Sequence, residues 1–264
     1  MATVAAEPGD RSMSVGRVFS RAFSTIASNP VATFGVAFLF GTLPALALNF
    51  ALRGELLTAE TTALLGTAGT VAVAIFWAVI SILLAMITQG ALVRATVAHS
   101  EGRKASFGES AMAGLSVALP LFLAGLLGAL GIMVGMLFLI VPGIILYVVW
   151  SVAAPALVEE RLGPVEALGR SRYLTRGARW KVFGLNLVLL VLYWLFSIGV
   201  VAIFGDLGRS ATDFQSMSVA FILGSAAVQT VTSVVWGVIQ SSLYVDLREW
   251  KDGPKTEALA EIFS

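Results

Sequence analysis

Six stretches of this chain are dominated by apolar residues: 31–52, 69–98, 117–139, 142–159, 181–204 and 217–246. A helix needs about 20 such residues to cross the hydrocarbon of a bilayer. Only 12% of all residues are charged, 58% are hydrophobic, and mean hydropathy is +0.90. A soluble domain carries roughly 25% charged residues, so a water-facing shell cannot be assembled from this composition. The expected fold is all-α: a polytopic membrane protein of six transmembrane helices with short interfacial amphipathic helices. A transmembrane barrel would need short alternating strands instead of continuous apolar runs. The second and sixth stretches exceed what a bilayer requires, so they tilt or extend beyond it. Val141-Pro142-Gly143 punctuates the passage from the third stretch to the fourth, as a turn or as the kink of one long helix.

Residues 1–13 form a polar tail expected to be disordered, residues 14–250 a single six-helix transmembrane domain, and residues 251–264 a cytosolic tail. Within residues 14–28, Val15, Val18, Phe19, Ala22, Phe23 and Ile26 share one helical face, and Arg17, Ser20, Arg21, Ser24 and Ser28 the other. Such a helix is too polar to span and suits the headgroup layer. Asn29-Pro30 ends it and starts the first span. Ala45-Leu46-Ala47 resembles a signal-peptide cleavage site, but the apolar run begins only at Val31, so an uncleaved first membrane helix is expected. With the N-terminus inside, 15 of the 17 Lys and Arg fall in inside segments, and only Arg53 and Arg209 outside. Positive charge concentrates on the cytosolic side, so both termini are expected there. Ser14, Ser106 and Gly163 each open an amphipathic segment before a pair of spans, a pattern that fits three helical-hairpin repeats.

Catalytic constellations are nearly absent. His99 is the single histidine and the chain has no cysteine, so convergent zinc ligands are not available, and no metal or cofactor is expected. The reading of His99 is a solvated residue at a helix end. No phosphate-cradling GxxxxGK[ST] loop occurs. A net charge of +1 gives no reason to expect a nucleic-acid partner. Charges in mid-span would mark an ion or proton path. None does so here, because Arg94, Glu159, Glu160, Asp246 and Arg248 stand at helix ends.

Two features rise above this background. In the sixth span Ser225, Gln229, Ser233, Trp236, Gln240 and Tyr244 recur at spacings of three and four, a polar-aromatic stripe that Asn186 and Gln89 could face. It reads as interhelical hydrogen bonding or as the lining of a cavity or lipid groove. The second is the segment 155–180, where five arginines and three glutamates crowd between apolar runs. Residues 164–175 read as a short helix with Arg172 and Arg176 near Val165, followed by Arg179, Trp180 and Lys181 at re-entry. This is either positive-inside topology or a headgroup site formed by Arg170, Arg172, Arg176, Arg179, Trp180 and Lys181, since arginines grip phosphate bidentately. Gly131 with Gly135, and Ala37, Gly41 and Ala45, are spaced for close helix approach.

The run Pro142-Gly143-Ile144, Trp150, Pro155-Ala156-Leu157-Val158-Glu159, Ala167-Leu168-Gly169-Arg170-Ser171 and Leu174-Thr175-Arg176-Gly177, with the late Gln240-Ser241-Ser242-Leu243-Tyr244-Val245-Asp246-Leu247-Arg248, resembles a bacterial family. These are proteins like the membrane domain of glycerophosphoryl diester phosphodiesterases, with related inner-membrane proteins. The resemblance implies a six-helix module in a bacterial inner membrane and an association with lipid or envelope metabolism. It implies no catalysis, because the phosphodiesterase of that family is a separate soluble barrel with paired histidines. The expected function is thus non-enzymatic: binding lipid headgroups, with anionic phospholipid as partner, or scaffolding an envelope complex. The alternative is a small permease or lipid translocator using the sixth-span stripe. A homo-oligomer or an envelope protein partner is compatible with the small-residue faces.

Overall fold

The structure is a computed structural model and describes residues 12–53, 59–204 and 218–253. Among these residues the chain folds into helices, with no strand. Six segments are long and apolar enough to cross a membrane: Pro30–Leu48, Gly66–Ser100, Phe107–Phe138, Ile140–Glu160, Arg179–Ile203 and Val219–Asp252.

Helix α1, Val15–Ser28, packs its buried Val18, Ala22 and Thr25 against the bundle. The protein therefore covers most of its apolar stripe, and of the larger side chains there Phe23 remains exposed. Asn29 ends α1 and starts α2, Pro30–Val36: its Oδ1 accepts from Ala32 N at 3.4 Å, and its Nδ2 donates to Ala105 O at 2.6 Å. A π-helical segment, Ala37–Thr42, then leads into α3, Leu43–Arg53. Helix α4, Ala59–Ser100, is kinked at Gly66, whose φ of 65° leaves the helical region.

Helix α5, Phe107–Phe138, is continuous. The amphipathic segment expected at Ser106 is thus the first turns of a span and not a separate interfacial helix. Ser106 caps it, Oγ accepting from Glu109 N at 3.1 Å. At its far end Leu139 is extended, and the chain reverses into α6, Ile140–Val149. The chain does reverse rather than continue as one kinked helix, but at Leu139: Val141-Pro142-Gly143 lies in the first turns of α6. The reversal is tight because glycines meet: a Cβ on Gly135 would lie 3.1 Å from Gly143 Cα, and one on Gly131 would lie 2.6 Å from the Trp150 ring. Helix α6 breaks at Trp150 to Val152 and resumes as α7, Ala153–Glu160. Helix α8, Pro164–Thr175, has the bounds expected from sequence. The last two helices are α9, Arg179–Phe204, and α10, Val219–Asp252.

At 32 and 34 residues, α5 and α10 outrun the roughly 20 residues of a bilayer. Their extra turns carry Glu109 on α5 and Asp246, Glu249 and Asp252 on α10, all ion-paired. Helices α1, α7 and α8 gather around this charged end, and the main buried core lies beside it, joining Val18 and Ala22 to Val97, Leu174, Leu243 and Leu247. Away from it the helices separate. Every residue from Leu190 to Phe196 of α9 is exposed, an apolar surface suited to a hydrocarbon surround.

The edges of the expected domain shift slightly. Met13, placed in the tail by sequence, is buried in the core, and its carbonyl accepts from Lys181 Nζ at 2.9 Å. Lys251 and Asp252 belong to α10, not to a tail. The rest of both tails, residues 1–11 and 254–264, and Arg209 lie outside the described residues.

Candidate functional site

Successive α10 residues at spacings of four, three and four share one face of the helix. Gln229, Ser233, Trp236 and Gln240 do so, and they form one wall of a cavity of about 790 Å³. The π-helical segment, α4, α5 and the broken α6–α7 span line the other sides of this partly open cavity, and Leu168 of α8 reaches in from the charged end. Gln89 of α4 stands opposite the stripe. Most of the wall is hydrocarbon, including Met86, Leu92, Leu121 and Ile132, and no charged residue is among the described lining side chains.

The amides set the chemistry. Gln240 Nε2 donates to Asn186 Oδ1 at 2.6 Å, and the Tyr147 hydroxyl donates to the same oxygen at 3.3 Å. Asn186 Nδ2 in turn donates to Val182 O at 2.9 Å. Asn186 therefore stands behind Gln240 as its anchor and does not line the space. Gln240 is only 3% exposed, and its Oε1 has no hydrogen-bond partner. The side-chain amides of Gln89 and Gln229 likewise receive no partner among the described residues. The hydroxyls nearby are donors to their own helices: Ser233 to Thr230 O at 2.9 Å, Thr88 to Leu84 O at 3.0 Å, and Ser151 to Val148 O at 2.9 Å. Their lone pairs stay available. A buried polar group without a partner costs about 1–3 kcal/mol, so this wall is stabilised by whatever donor enters the cavity.

The stripe expected from sequence is thus partly brought together. Ser225 turns its hydroxyl to Ile222 O at 2.9 Å and is not part of the lining. Tyr244 lies one turn past Gln240, fully buried, and its hydroxyl donates to Glu160 Oε1 at 2.8 Å. Gly41 and Ala45 line the cavity, whereas Gly131 and Gly135 serve the α5–α6 reversal. Sequence reasoning missed Thr88, Trp150, Ser151 and Thr42 as lining residues. They come from separate helices, one or two apiece, so no periodicity marks them.

The arginine segment divides. Arg170 Nε donates to both Glu160 oxygens at 2.8 and 2.9 Å, and its other nitrogens reach Asp252. Burial works against its charge, but the bonds to Asp252 and Glu160 outweigh that and hold its pKa above the ordinary arginine value. Arg170 is consequently a clasp between α7, α8 and α10, which leaves its guanidinium committed to carboxylates and not to phosphate. Lys181 is tied to Ser12 Oγ at 3.2 Å and to Met13 O. Arg172, Arg176 and Arg179 are exposed and have no carboxylate partner among the described residues. Val165 is 70% exposed, and the buried face of α8 is Ala167, Ser171, Leu174 and Thr175.

His99 is more held than a solvated helix end would be. Ser24 Oγ lies 2.8 Å from its Nε2 and Ser28 Oγ 3.1 Å from its Nδ1. With both ring nitrogens on hydroxyls, no carboxylate orients the ring as a catalytic base requires. The described residues contain no cluster of three or more metal-ligating side chains. Comparison of the chain with protein-family models, with curated proteins and with solved structures finds no match.

Proposed function

We propose that this chain is a non-enzymatic membrane protein that binds a neutral, hydrogen-bonding amphiphile in its intramembrane cavity. The observation that carries the reading is Gln240 Oε1, buried on the cavity wall without a donor, with the unpartnered amides of Gln89 and Gln229 on the same space. Small-molecule sites have this form: apolar walls, a few converging polar groups, and a volume of about 300–1,000 Å³. Because the lining is uncharged, it favours a hydroxyl, ester or amide headgroup over a phosphate, whose charge would be stranded there. The apolar wall takes the adjoining hydrocarbon. On this reading the charged end faces the cytosol, as the distribution of Lys and Arg favours. A bacterial inner membrane and a place in lipid metabolism are what the family resemblance adds.

A translocator is the second reading, supported by where the helices lose regularity. The π-helical segment holding Gly41 and Thr42 and the break at Trp150 to Val152 both border the cavity. Broken helices around a mid-membrane site are a recurring feature of transporters.

The test is retention of dioleoylglycerol, a neutral hydroxyl lipid, by protein extracted in nanodiscs of phosphatidylcholine doped with that lipid. Gln89→Leu/Gln229→Leu removes two amides that have no hydrogen-bond partner among the described residues, so folding should be preserved. Retention is expected to fall roughly tenfold, the equivalent of ~1.4 kcal/mol or about one hydrogen bond. Equal retention by both proteins would sink the reading. Movement of the same lipid between leaflets of proteoliposomes, faster with wild type than with the variant, would select the translocator.

A further inference from the structure

We infer that Arg172, Arg176, Arg179 and Trp180 form a site for the phosphate of an anionic phospholipid in the leaflet bordering the charged end. The inference rests on other residues than the cavity and stands or falls separately.

The argument begins from a contrast. Arg17, Arg21, Arg94, Arg103, Arg170 and Arg248 are each paired with a carboxylate. Arg172, Arg176 and Arg179 are not, and they follow one another along the passage from α8 to α9. The sequence spends its acidic residues on neighbouring arginines and leaves three positive charges together.

Their position in the bilayer follows from α9. Trp180, Leu187, Val191 and Trp194 lie within about 60° of one another around the helix at 3.6 residues per turn. All four are exposed, Trp180 at 85%. This stripe must meet lipid, and Trp180 is its edge toward the charged end. Tryptophan favours the level of the headgroups, and Arg176 and Arg179 adjoin it in sequence. On α8 Arg172 and Val165 are both exposed, and Arg176, exposed as well, caps the C-terminal end of the helix in an extended conformation that leads toward α9. Val165 and Trp180 supply apolar contact, and the guanidinium forks supply bidentate donors to phosphate oxygens.

Continuity with the lipid-facing stripe is why the occupant is a lipid and not an acidic protein segment. Three uncompensated charges also select a headgroup with net negative charge over a zwitterionic one. Arg170 and Lys181 are excluded, the first by its clasp with Glu160 and Asp252 and the second by Ser12 and Met13.

The experiment measures the fraction of spin-labelled phosphatidylglycerol held at the surface of the full chain, relative to spin-labelled phosphatidylcholine, in mixed vesicles of the two lipids. Wild type is compared with Arg172→Gln/Arg176→Gln/Arg179→Gln and with Lys104→Gln/Arg161→Gln, which removes exposed charge elsewhere on the same end. Wild type and the second variant should prefer phosphatidylglycerol about equally, and the triple variant should show a ratio near one. Arg→Lys at the three positions should keep part of the preference, since charge remains but the bidentate fork is lost. A preference surviving in the triple variant, or lost equally in the Lys104/Arg161 variant, would overturn the site. So would equal lipid ratios accompanied by binding of an acidic peptide to wild type alone, because the occupant would then be a protein.

Discussion

At the residue scale, the charged end is organised by one carboxylate of α10 that is withdrawn from water. Asp246 is 1% exposed and accepts from Arg17 Nε at 2.8 Å, from Arg17 Nη2 at 3.4 Å and from Ser14 N at 3.0 Å. One side chain thus fixes both the start of α1 and its approach to α10. Asn in its place keeps the volume but cannot match the charge. Asp246→Asn is therefore expected to cost roughly 1.5–3 kcal/mol, the range for hydrogen bonds to charged groups, toward the lower end because Arg17 is half exposed. The unfolding midpoint in detergent checks this, and an unchanged midpoint would mean that α1 docks by apolar packing alone. The pH dependence follows from Arg17, whose pKa the hydrogen bond to Asp246 raises above the ordinary arginine value. A raised pKa gives stability that is complete below the unfolded value and lost only on passing the folded one. The difference between wild type and Asp246→Asn should then stay constant from about pH 7 to about pH 10, both below the ordinary arginine value. A difference that shrinks across that interval would show that another group titrates in the clasp.

At the scale of elements, hydropathy revealed each span, and the ends it misjudged have a physical reason. The third span begins ten residues before its apolar run, at Phe107 and not at 117, because Glu109 is taken up by Arg94 of α4 at 2.8 Å. A composition window cannot see that pairing. The α10 stripe was legible because four of its members follow the helical repeat. The partners of Arg170 were not legible, since Asp252 lies 82 residues away and only the tertiary fold brings it near. Small residues divide in the same way. A Cβ on Gly114 would stand 2.1 Å from Ile87 O, and one on Gly90 would stand 2.8 Å from Gly114 Cα, so α4 and α5 cross backbone to backbone. Nothing lies within 4 Å of a Cβ on Gly184 of α9. Gly114→Ala is expected to cost at least about 1–3 kcal/mol through overpacking. Gly184→Ala should be neutral or stabilising by up to about 1 kcal/mol, because alanine favours the helix. Chemical unfolding of the two variants side by side separates these cases, and equal effects would refute the backbone crossing.

At the scale of the whole molecule, six crossings require that the segments before the first and after the last lie on one side. The structure joins them directly: Arg17 and Arg21 of α1 bond to Asp246 and Glu249 near the end of α10. The loop between α4 and α5 and the α7–α8 turn sit at that same end, tied by Asn29 to Ala105 and by Arg170 to Asp252. The α5–α6 reversal lies at the other. If the six segments span, these placements imply a membrane topology independently of which side is the cytosol, and the absence of cysteine makes it simple to test. Single cysteines at Lys104 and Arg176 should react with a membrane-impermeant maleimide from one face of sealed vesicles. A cysteine at Leu139, exposed at the reversal, should react only from the opposite face. If Lys104→Cys and Leu139→Cys were labelled from the same face, α5 would not cross, and the cavity it walls could not lie within a bilayer. Labelling of Lys104→Cys from the cytosolic face in intact cells would fix the absolute orientation. The arginine strip would then face the leaflet where anionic headgroups and positive side chains meet.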